Sequence, residues 1–405
     1  MPYIRKIFTL ITVRGLSLLG FFLLAFAMDG ENFKEYALYF ATWQIAAQIT
    51  GLQIGVTLFR HGITPQYRNE SETISSILIR IAPLLYLAYS ISILAKISTL
   101  ILCIEISLIY SIFSCISEFA RTQTKESDIF AMQGIVGASY LAVFIAAKIF
   151  DINFTFKAVA FIECSAYFLA ILIISTKILA NPISNNRKLR DSLITLLPLW
   201  KKTSLPLIPN NLIWYLYFNS PQIISYYLSN TAGEHKEQAI LFRIIVAAST
   251  FSSILALALQ KNLVQLYETS YFVYEERKKK TLYIHIPLIV MACVMASIFI
   301  NLTYSIIPIP LSYEIFLSYL SQYLTIISLL SALFLAIYVS SNFIIAEKKM
   351  SLATKSMVYG LIIYIAAICI SIKIINLEAS ILYSLSAALI VTLISRYTFL
   401  LWRKN

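Results

Sequence analysis

Long apolar runs separated by short polar segments dominate the chain from end to end. A bilayer core of roughly 30 Å requires about 20 mostly apolar residues in a helix, and that window predicts twelve membrane spans. The runs do not alternate in polarity at every second residue, which argues against the strands of a membrane barrel. The predicted spans are 7–28, 36–58, 74–95, 97–118, 129–150, 154–176, 203–228, 239–260, 281–305, 315–345, 350–373 and 377–401.

A longer polar segment divides these spans into two sets of six. We predict an all-α polytopic membrane protein with an N-terminal six-helix bundle over residues 1–178 and a C-terminal six-helix bundle over 203–405. A cytoplasmic linker over 179–202 joins them. Because each half has an even number of spans, both halves enter the membrane from the same side, as parallel repeats do.

A short echo in the sequence supports this repeat. Residues 30–38 read GENFKEYAL, and residues 233–241 read GEHKEQAIL. Such a match of common residues arises easily by chance, but each copy falls in the loop after the first span of its half. We interpret the pair as a mark of symmetry in the frame, without chemistry of its own.

Basic residues predict the orientation. Of the 32 Lys and Arg residues, 22 lie on the side of the N-terminus and six lie on the opposite side. The remaining four fall within spans. The positive-inside rule therefore places both termini in the cytoplasm.

The composition excludes an ordinary soluble domain. The chain is 59% hydrophobic and 13% charged, with a mean hydropathy of +0.78, against about 45–50% and 25% in typical soluble proteins. The net charge of +12 follows the topology, so we predict no nucleic-acid partner. The five cysteines lie in apolar runs without metal-ligand spacing, and no nucleotide-binding motif is found. We expect a retained first span, no metal, no cofactor and no enzymatic activity.

Ionisable residues inside spans are the first candidates for function, because each is costly in lipid. Arg14, Arg80 and Arg243 could line a cationic cavity that attracts an anionic head group. Alternatively, they pair with Glu105 and Glu163 or extend toward the membrane surface. The two glutamates are interpreted as counter-charges or as sites that couple transport to H⁺ or Na⁺. A sixth residue, Arg396, is interpreted as an anchor that reaches the inner surface.

Uncharged polar residues form a second layer of candidates. Gln44 and Gln48 are one helical turn apart and share a face of the second span. In the seventh span, Asn219 and Gln222 flank Pro221, which permits bending. These amides either meet sugar hydroxyls or bond to neighbouring helices. Most tyrosines are attributed to the interfacial aromatic belt, and three histidines without metal-ligand spacing are expected to be solvated: His61, His235 and His285.

Several stretches resemble a known family. VRGLSLLGFFLLAF, FKEYALY and LQIGVTLFRHG are similar to the first two spans of Wzx-type polysaccharide flippases, members of the multidrug/oligosaccharidyl-lipid/polysaccharide (MOP) exporter superfamily. NSPQIISYYLSNTAGEHKEQAILFRI resembles the segment of spans 7 and 8 in that family. Two departures are visible: Pro221 and Gln222 stand where an acidic residue is common, and Ala239 follows Gln238 instead of a tyrosine.

The resemblance implies two bundles around a cationic cavity in the bacterial inner (cytoplasmic) membrane. It implies that an undecaprenyl-pyrophosphate-linked oligosaccharide of the O-antigen or capsule type is moved to the periplasmic leaflet by alternating access. Arg14 and Arg243 would contact pyrophosphate or acidic sugars, with Arg80 as a further candidate. Expected partners are this lipid-linked oligosaccharide, membrane lipids, a glycan polymerase and chain-length proteins. The residues expected to meet the sugars are Gln44, Gln48, Asn219 and Gln222.

Other functions remain open on the sequence. A multidrug or organic-ion exporter of the same superfamily would need acidic residues in its cavity, whereas the ionisable residues named above as lying inside the spans are four arginines and two glutamates. An O-antigen polymerase, which is an enzyme, has a similar length but carries a large outer loop that this sequence lacks. A structural scaffold leaves the arginines inside the spans unexplained.

Overall fold

A computed structural model describes most of the chain. The described residues are 19–21, 23, 24, 27–62, 67–123, 126–179, 189–229, 231, 238–242, 244–246, scattered positions between 249 and 267, 269–288, 290, 291, 295, 311–347 and 349–402. Every regular element among them is helical. This confirms the prediction of an all-α protein.

The described residues form the following α-helices. In chain order they are α1 (Gly30–Thr50), α2 (Ile54–Gly62), α3 (Arg68–Leu94), α4 (Thr99–Gln123), α5 (Glu126–Phe150), α6 (Phe156–Leu179), α7 (Leu189–Thr203), α8 (Leu207–Leu228), α9 (Tyr271–Lys280), α10 (Leu311–Ala346), α11 (Met350–Ser371) and α12 (Leu377–Trp402). A π-helical turn, Thr281–His285, continues α9.

Six helices within the described part of the chain are long and apolar enough to cross a membrane: Arg68–Leu94, Thr99–Thr122, Phe156–Thr176, Tyr323–Ala346, Met350–Ser371 and Leu377–Leu401. They coincide with six predicted spans. The chain is therefore a multi-pass membrane protein. The count of twelve spans and the cytoplasmic location of the termini stay predictions, because much of the first, eighth and ninth spans lies outside the described residues.

The chain divides into two compact units, Met1–Ile240 and Leu241–Asn405. The first unit contains α1–α8 and has one large apolar core, which includes Trp43, Phe119 and Ile171. The predicted division into two bundles of six spans stays a prediction. In the first unit α8 packs along α1. Near one end of this pair the Lys34 ammonium on α1 lies 5.0 Å from the Tyr226 ring on α8. Near the other end the Thr57 hydroxyl on α2 forms a hydrogen bond with the Ser204 hydroxyl, which lies just before α8.

The second span is broken, although the sequence predicted one continuous helix over 36–58. After Gly51, two consecutive residues adopt left-handed backbone angles, with φ of 47° at Leu52 and 52° at Gln53. The helix resumes at Ile54 as α2. A hydrogen bond from another helix stabilises the break. The Trp200 indole nitrogen on α7 donates to the Leu52 carbonyl oxygen at 2.8 Å.

Two hairpins on the predicted outer side end their first helix in the same way. Lys96 after α3 and Asp151 after α5 have φ of 54° and 50°. The next amide in each case bonds back five residues, from Ile97 to Ser92 and from Ile152 to Ala147. This left-handed helix end usually favours glycine, since a Cβ crowds the backbone there.

Two sequence expectations about single residues are wrong. Arg396 does not extend to the surface: it is 2% exposed, and its guanidinium donates to the Ser356 hydroxyl at 3.0 Å and to the Ile337 carbonyl at 2.8 Å. Oxygen atoms of α10 and α11 therefore hold it inside the second unit. His61 is half-buried, with its ring 5.5 Å from that of Tyr67, because α2 continues beyond the break. His285 is exposed as expected.

Candidate functional site

A fully buried carboxylate lies among tyrosines in the first unit. Glu163 on α6 is 0% exposed. The Tyr140 hydroxyl on α5 donates to Glu163 Oε1 at 2.5 Å, and the Tyr36 hydroxyl on α1 donates to Oε2 at 3.2 Å. The two hydroxyl oxygens are 3.2 Å apart. Three helices thus converge on one acid.

A second tyrosine pair lies on the neighbouring turns. The hydroxyls of Tyr39 on α1 and Tyr89 on α3 share a hydrogen bond of 2.8 Å, and both side chains are fully buried. The Cys103 thiol on α4 donates to the Tyr39 carbonyl at 3.7 Å. We call Glu163 together with Tyr36, Tyr39, Tyr89 and Tyr140 the tyrosine cluster.

Helical spacing places these groups at a shared depth. Tyr36 and Tyr39 are three residues apart, so they lie on the same side of α1. At 1.5 Å per residue, Glu163 lies about 10 Å from the outer end of α6 and Tyr36 about 9 Å from the start of α1. The site therefore occupies the predicted outer half of the membrane.

The cluster provides two arrangements of protons. When Glu163 is ionised, both tyrosines donate to it, which satisfies a charge that burial would otherwise make very costly. When Glu163 is protonated, its own O–H becomes a donor and one tyrosine must accept or rotate. Gain or loss of one proton thus changes hydrogen bonds that connect α1, α5 and α6. The predicted role of Glu163 as an arginine counter-charge or an ion-coupling site remains a prediction.

The second candidate acid is held more simply. Ser92 on α3 donates to Glu105 Oε1 on α4 at 2.8 Å. The other oxygen, Oε2, is buried without a hydrogen-bond partner among the described residues. Glu105 is therefore a poorly satisfied acid near the same depth, and its predicted coupling role is not decided by this geometry.

The predicted amides lie on two helices that pack together, α1 and α8. Gln48 is 5% exposed; its nitrogen lies 3.4 Å from the Gln44 carbonyl, and its oxygen accepts from Gln53 at 3.0 Å. Asn219 is fully buried and donates to the Tyr215 carbonyl at 3.0 Å. Gln222 is also fully buried, whereas Gln44 is half-buried. Their proposed contact with sugars stays a prediction.

Of the three arginines predicted to line a cavity, the structure describes Arg80. Arg14 and Arg243 lie outside the described residues. Arg80 is exposed on α3 beside the exposed Ile81 and Leu84, and it makes no hydrogen bond or ion pair with any described residue. No group of three or more His, Cys, Asp or Glu in the described part could hold a metal ion.

Sequence reasoning selected Glu163 but missed its tyrosines. Hydropathy and position assigned tyrosines to the interfacial belt, although Tyr36, Tyr39, Tyr89 and Tyr140 are at most 3% exposed. A signal was available: Tyr36 and Tyr39 lie at helical spacing inside an apolar segment, at about the depth of Glu163. Their contact across three helices needs the fold.

Comparison with known proteins identifies the fold. No protein-family model matches the chain, and no curated protein is significantly similar to it in sequence. Solved structures do match over nearly the whole length. A mutant form of VcmN, a MATE transporter of Vibrio cholerae, is 12% identical with a TM-score of 0.68, covering 99% of this chain and 95% of that one.

Two conformations of a multidrug resistance MATE family transporter of the MOP superfamily also match. The outward-facing form is 12% identical with a TM-score of 0.64, covering 100% of this chain and 96% of the other. The inward-facing form is 12% identical with a TM-score of 0.54, covering 99% and 97%. At these identities the likeness shows the fold, and the chain has the fold of MATE transporters.

Proposed function

We propose that this protein is a membrane exporter that works by alternating access and that its first candidate cargo is an organic cation. The observation that carries this proposal is the near-complete overlap with MATE transporters, one of them a multidrug resistance transporter solved facing both sides of the membrane. The six apolar helices of the described chain fit such a transporter. The sequence contains no nucleotide-binding motif, so export would be coupled to an ion gradient.

We further propose that the tyrosine cluster couples export to protons. Glu163 offers a single ionisable group whose two states require different tyrosine hydrogen bonds. Those bonds join α1, α5 and α6, so protonation alters how three helices are held together. Alternating access needs such a difference between two states, because an ion can shift an equilibrium only by interacting differently with each.

Efflux in cells tests the cargo. The full chain is expressed in a bacterial host that lacks its own drug efflux pumps, and accumulation of ethidium is measured by fluorescence. We expect the wild-type protein to lower steady-state ethidium several-fold and a proton uncoupler to abolish the difference. Equal ethidium with and without the protein would contradict the organic-cation proposal.

A lipid-linked oligosaccharide is the second candidate cargo. It is favoured by the candidate arginines inside the predicted spans, including Arg80, which is exposed and pairs with no described residue, and by the resemblance to Wzx-type flippases. Under this proposal Arg14 and Arg243 contact pyrophosphate, whose oxygens suit the planar guanidinium. Gln44, Gln48, Asn219 and Gln222 would meet sugar hydroxyls, and a glycan polymerase would act on the product.

Complementation tests this second cargo. In a bacterial host without its polysaccharide flippase, we expect the chain to restore surface glycan, and Arg14→Ala and Arg243→Ala to reduce it at least tenfold with normal protein in the membrane. Lys148→Ala, on the predicted outer side, is the control and should keep wild-type export. Normal surface glycan in both arginine variants would remove the proposed roles.

A further inference from the structure

Helix α7 presents one packed face and one exposed apolar face. Ser192 and Leu196 are buried, and the helix packs against α2 and α3. On the other side, Leu193, Ile194 and Leu197 are 48%, 60% and 50% exposed. These three residues share one side of a helix because Leu197 is four positions after Leu193 and three positions after Ile194. An apolar strip therefore faces outward from the first unit.

Cations stand at both ends of this strip. Arg190 lies in the first turn, and Lys201 and Lys202 lie in the last. All three are exposed, and none forms an ion pair or hydrogen bond with a described residue. Asp191 is the single acidic residue of α7. An apolar face flanked by exposed basic side chains is typical of a helix that lies in a membrane interface.

The contacts of α7 place it near one boundary of the membrane. The Trp200 indole donates to the carbonyl of Leu52, where α1 ends. The 21 residues of α1 rise about 31 Å from Gly30, which is close to the thickness of the hydrocarbon core. Thr57, just beyond the break, pairs with the Thr203 and Ser204 hydroxyls at 3.1 and 2.5 Å. Helix α7 thus lies where the basic loops are predicted to meet the inner leaflet.

We propose that α7 is a docking surface for anionic phospholipid of the cytoplasmic leaflet. Acyl chains contact Leu193, Ile194 and Leu197, while lipid phosphates contact Arg190, Lys201 and Lys202. Charge complementarity selects this occupant, since the helix presents one acid and three cations that pair with no described residue. Lipid binding holds α7 against α2, which keeps the Trp200 bond on the broken second span. The proposal holds whichever cargo the protein exports.

Thermal unfolding of the purified full chain tests the lipid site. The detergent-solubilised protein is titrated with phosphatidylglycerol or phosphatidylcholine, and the unfolding midpoint is followed. We expect phosphatidylglycerol to raise the wild-type midpoint by several degrees more than phosphatidylcholine does. A basic residue near an anionic surface contributes roughly fivefold in affinity. R190Q/K201Q/K202Q should therefore raise the phosphatidylglycerol concentration that gives half of the midpoint shift about a hundredfold.

A variant with the same change in charge is the control. K96Q/K148Q/K157Q removes three lysines from the predicted outer side and should respond to phosphatidylglycerol as the wild type does. A wild-type response in R190Q/K201Q/K202Q would overturn the proposal. An equal loss in both triple variants would also overturn it, because general attraction to the net positive charge would then explain the effect.

A depth measurement keeps the test decisive if the triple variant folds poorly. Ile194→Cys is spin-labelled in a chain whose Cys293 and Cys369 are replaced by serine, and the protein is placed in phosphatidylcholine vesicles with 30% phosphatidylglycerol. We expect the label to collide more often with oxygen than with a water-soluble nickel complex. The opposite preference would place this face of α7 in water or against a protein and would contradict lipid docking.

Discussion

At the residue scale, positive φ angles at residues other than glycine show where the backbone is strained. Lys96 ends α3 in the left-handed region, with φ of 54°, and its hairpin bonds resemble those that glycine usually forms. The sequence carries no sign of this strain, because lysine at a loop is ordinary. The cost arises from contact between the Cβ and its own backbone.

Lys96→Gly should therefore stabilise the protein. Relief of the left-handed strain is worth roughly 1–2 kcal/mol, and the added freedom of glycine in the unfolded chain removes about 0.4–1 kcal/mol. We expect a net gain of up to about 1.6 kcal/mol and a higher thermal midpoint in detergent. Lys96→Ala removes the charge but keeps the Cβ, so it should show no gain. Equal midpoints for the two variants would refute this reasoning.

The sequence does not show which of the four consecutive cations from Arg277 to Lys280 is buried. Lys278 alone is buried, 2.7 Å from Glu347 and 2.5 Å from Glu275. Burial alone raises the pKa of Glu347, but the hydrogen bonds from Lys278 and Lys349 outweigh it, so the pKa lies below its ordinary value of 4.5. The partner Glu347 lies 69 residues along the chain, so no local pattern reveals this pair.

Lys278→Met should destabilise the protein much more than Lys349→Met. Removing one partner of a buried ion pair costs roughly 3–5 kcal/mol, whereas Lys349 is 39% exposed and such pairs contribute about 0–1 kcal/mol. Since the pKa of Glu347 is lowered by folding, its contribution is complete above its unfolded value and is lost as the pH falls through the folded value. The gap between wild type and Lys278→Met should therefore shrink below pH 4.5. Comparable midpoints for the two methionine variants at pH 7 would contradict this explanation.

At the element scale, hydropathy predicted the helices that are apolar along their whole length. The predicted spans 350–373 and 377–401 correspond to α11 (Met350–Ser371) and α12 (Leu377–Trp402) within a few residues. It failed at the second span, where Gly51 is followed by two left-handed residues. That break is held by Trp200, 148 residues away, and a sliding window cannot detect such a contact.

Element α7 was also missed, because the polar linker over 179–202 was treated as a connection. Its residues Leu189–Thr203 form a helix with one face on α2 and α3. The spacing of Ser192, Leu196 and Thr203 on its buried side was available in the sequence. The high charge of the segment masked this amphipathic pattern.

At the scale of the whole molecule, the fold is that of MATE transporters, and it agrees with the predicted all-α membrane protein. The proposed function depends on how charge is placed inside the first unit. The sequence predicts Glu163 as a functional candidate because an acid inside a span is costly. It does not show that tyrosines from two other helices contact this acid. That arrangement is the basis of the proposal that export is coupled to protons.

Transport in reconstituted vesicles tests whether Glu163 couples export to protons. Wild type, Glu163→Gln and Tyr140→Phe are placed in liposomes, and ethidium movement is followed with and without an imposed pH gradient. The gradient should accelerate wild-type transport at least tenfold; Glu163→Gln should lose that acceleration, and Tyr140→Phe should reduce it, with thermal midpoints near the wild-type value. A Glu163→Gln protein that responds to the pH gradient as the wild type does would contradict proton coupling through the tyrosine cluster.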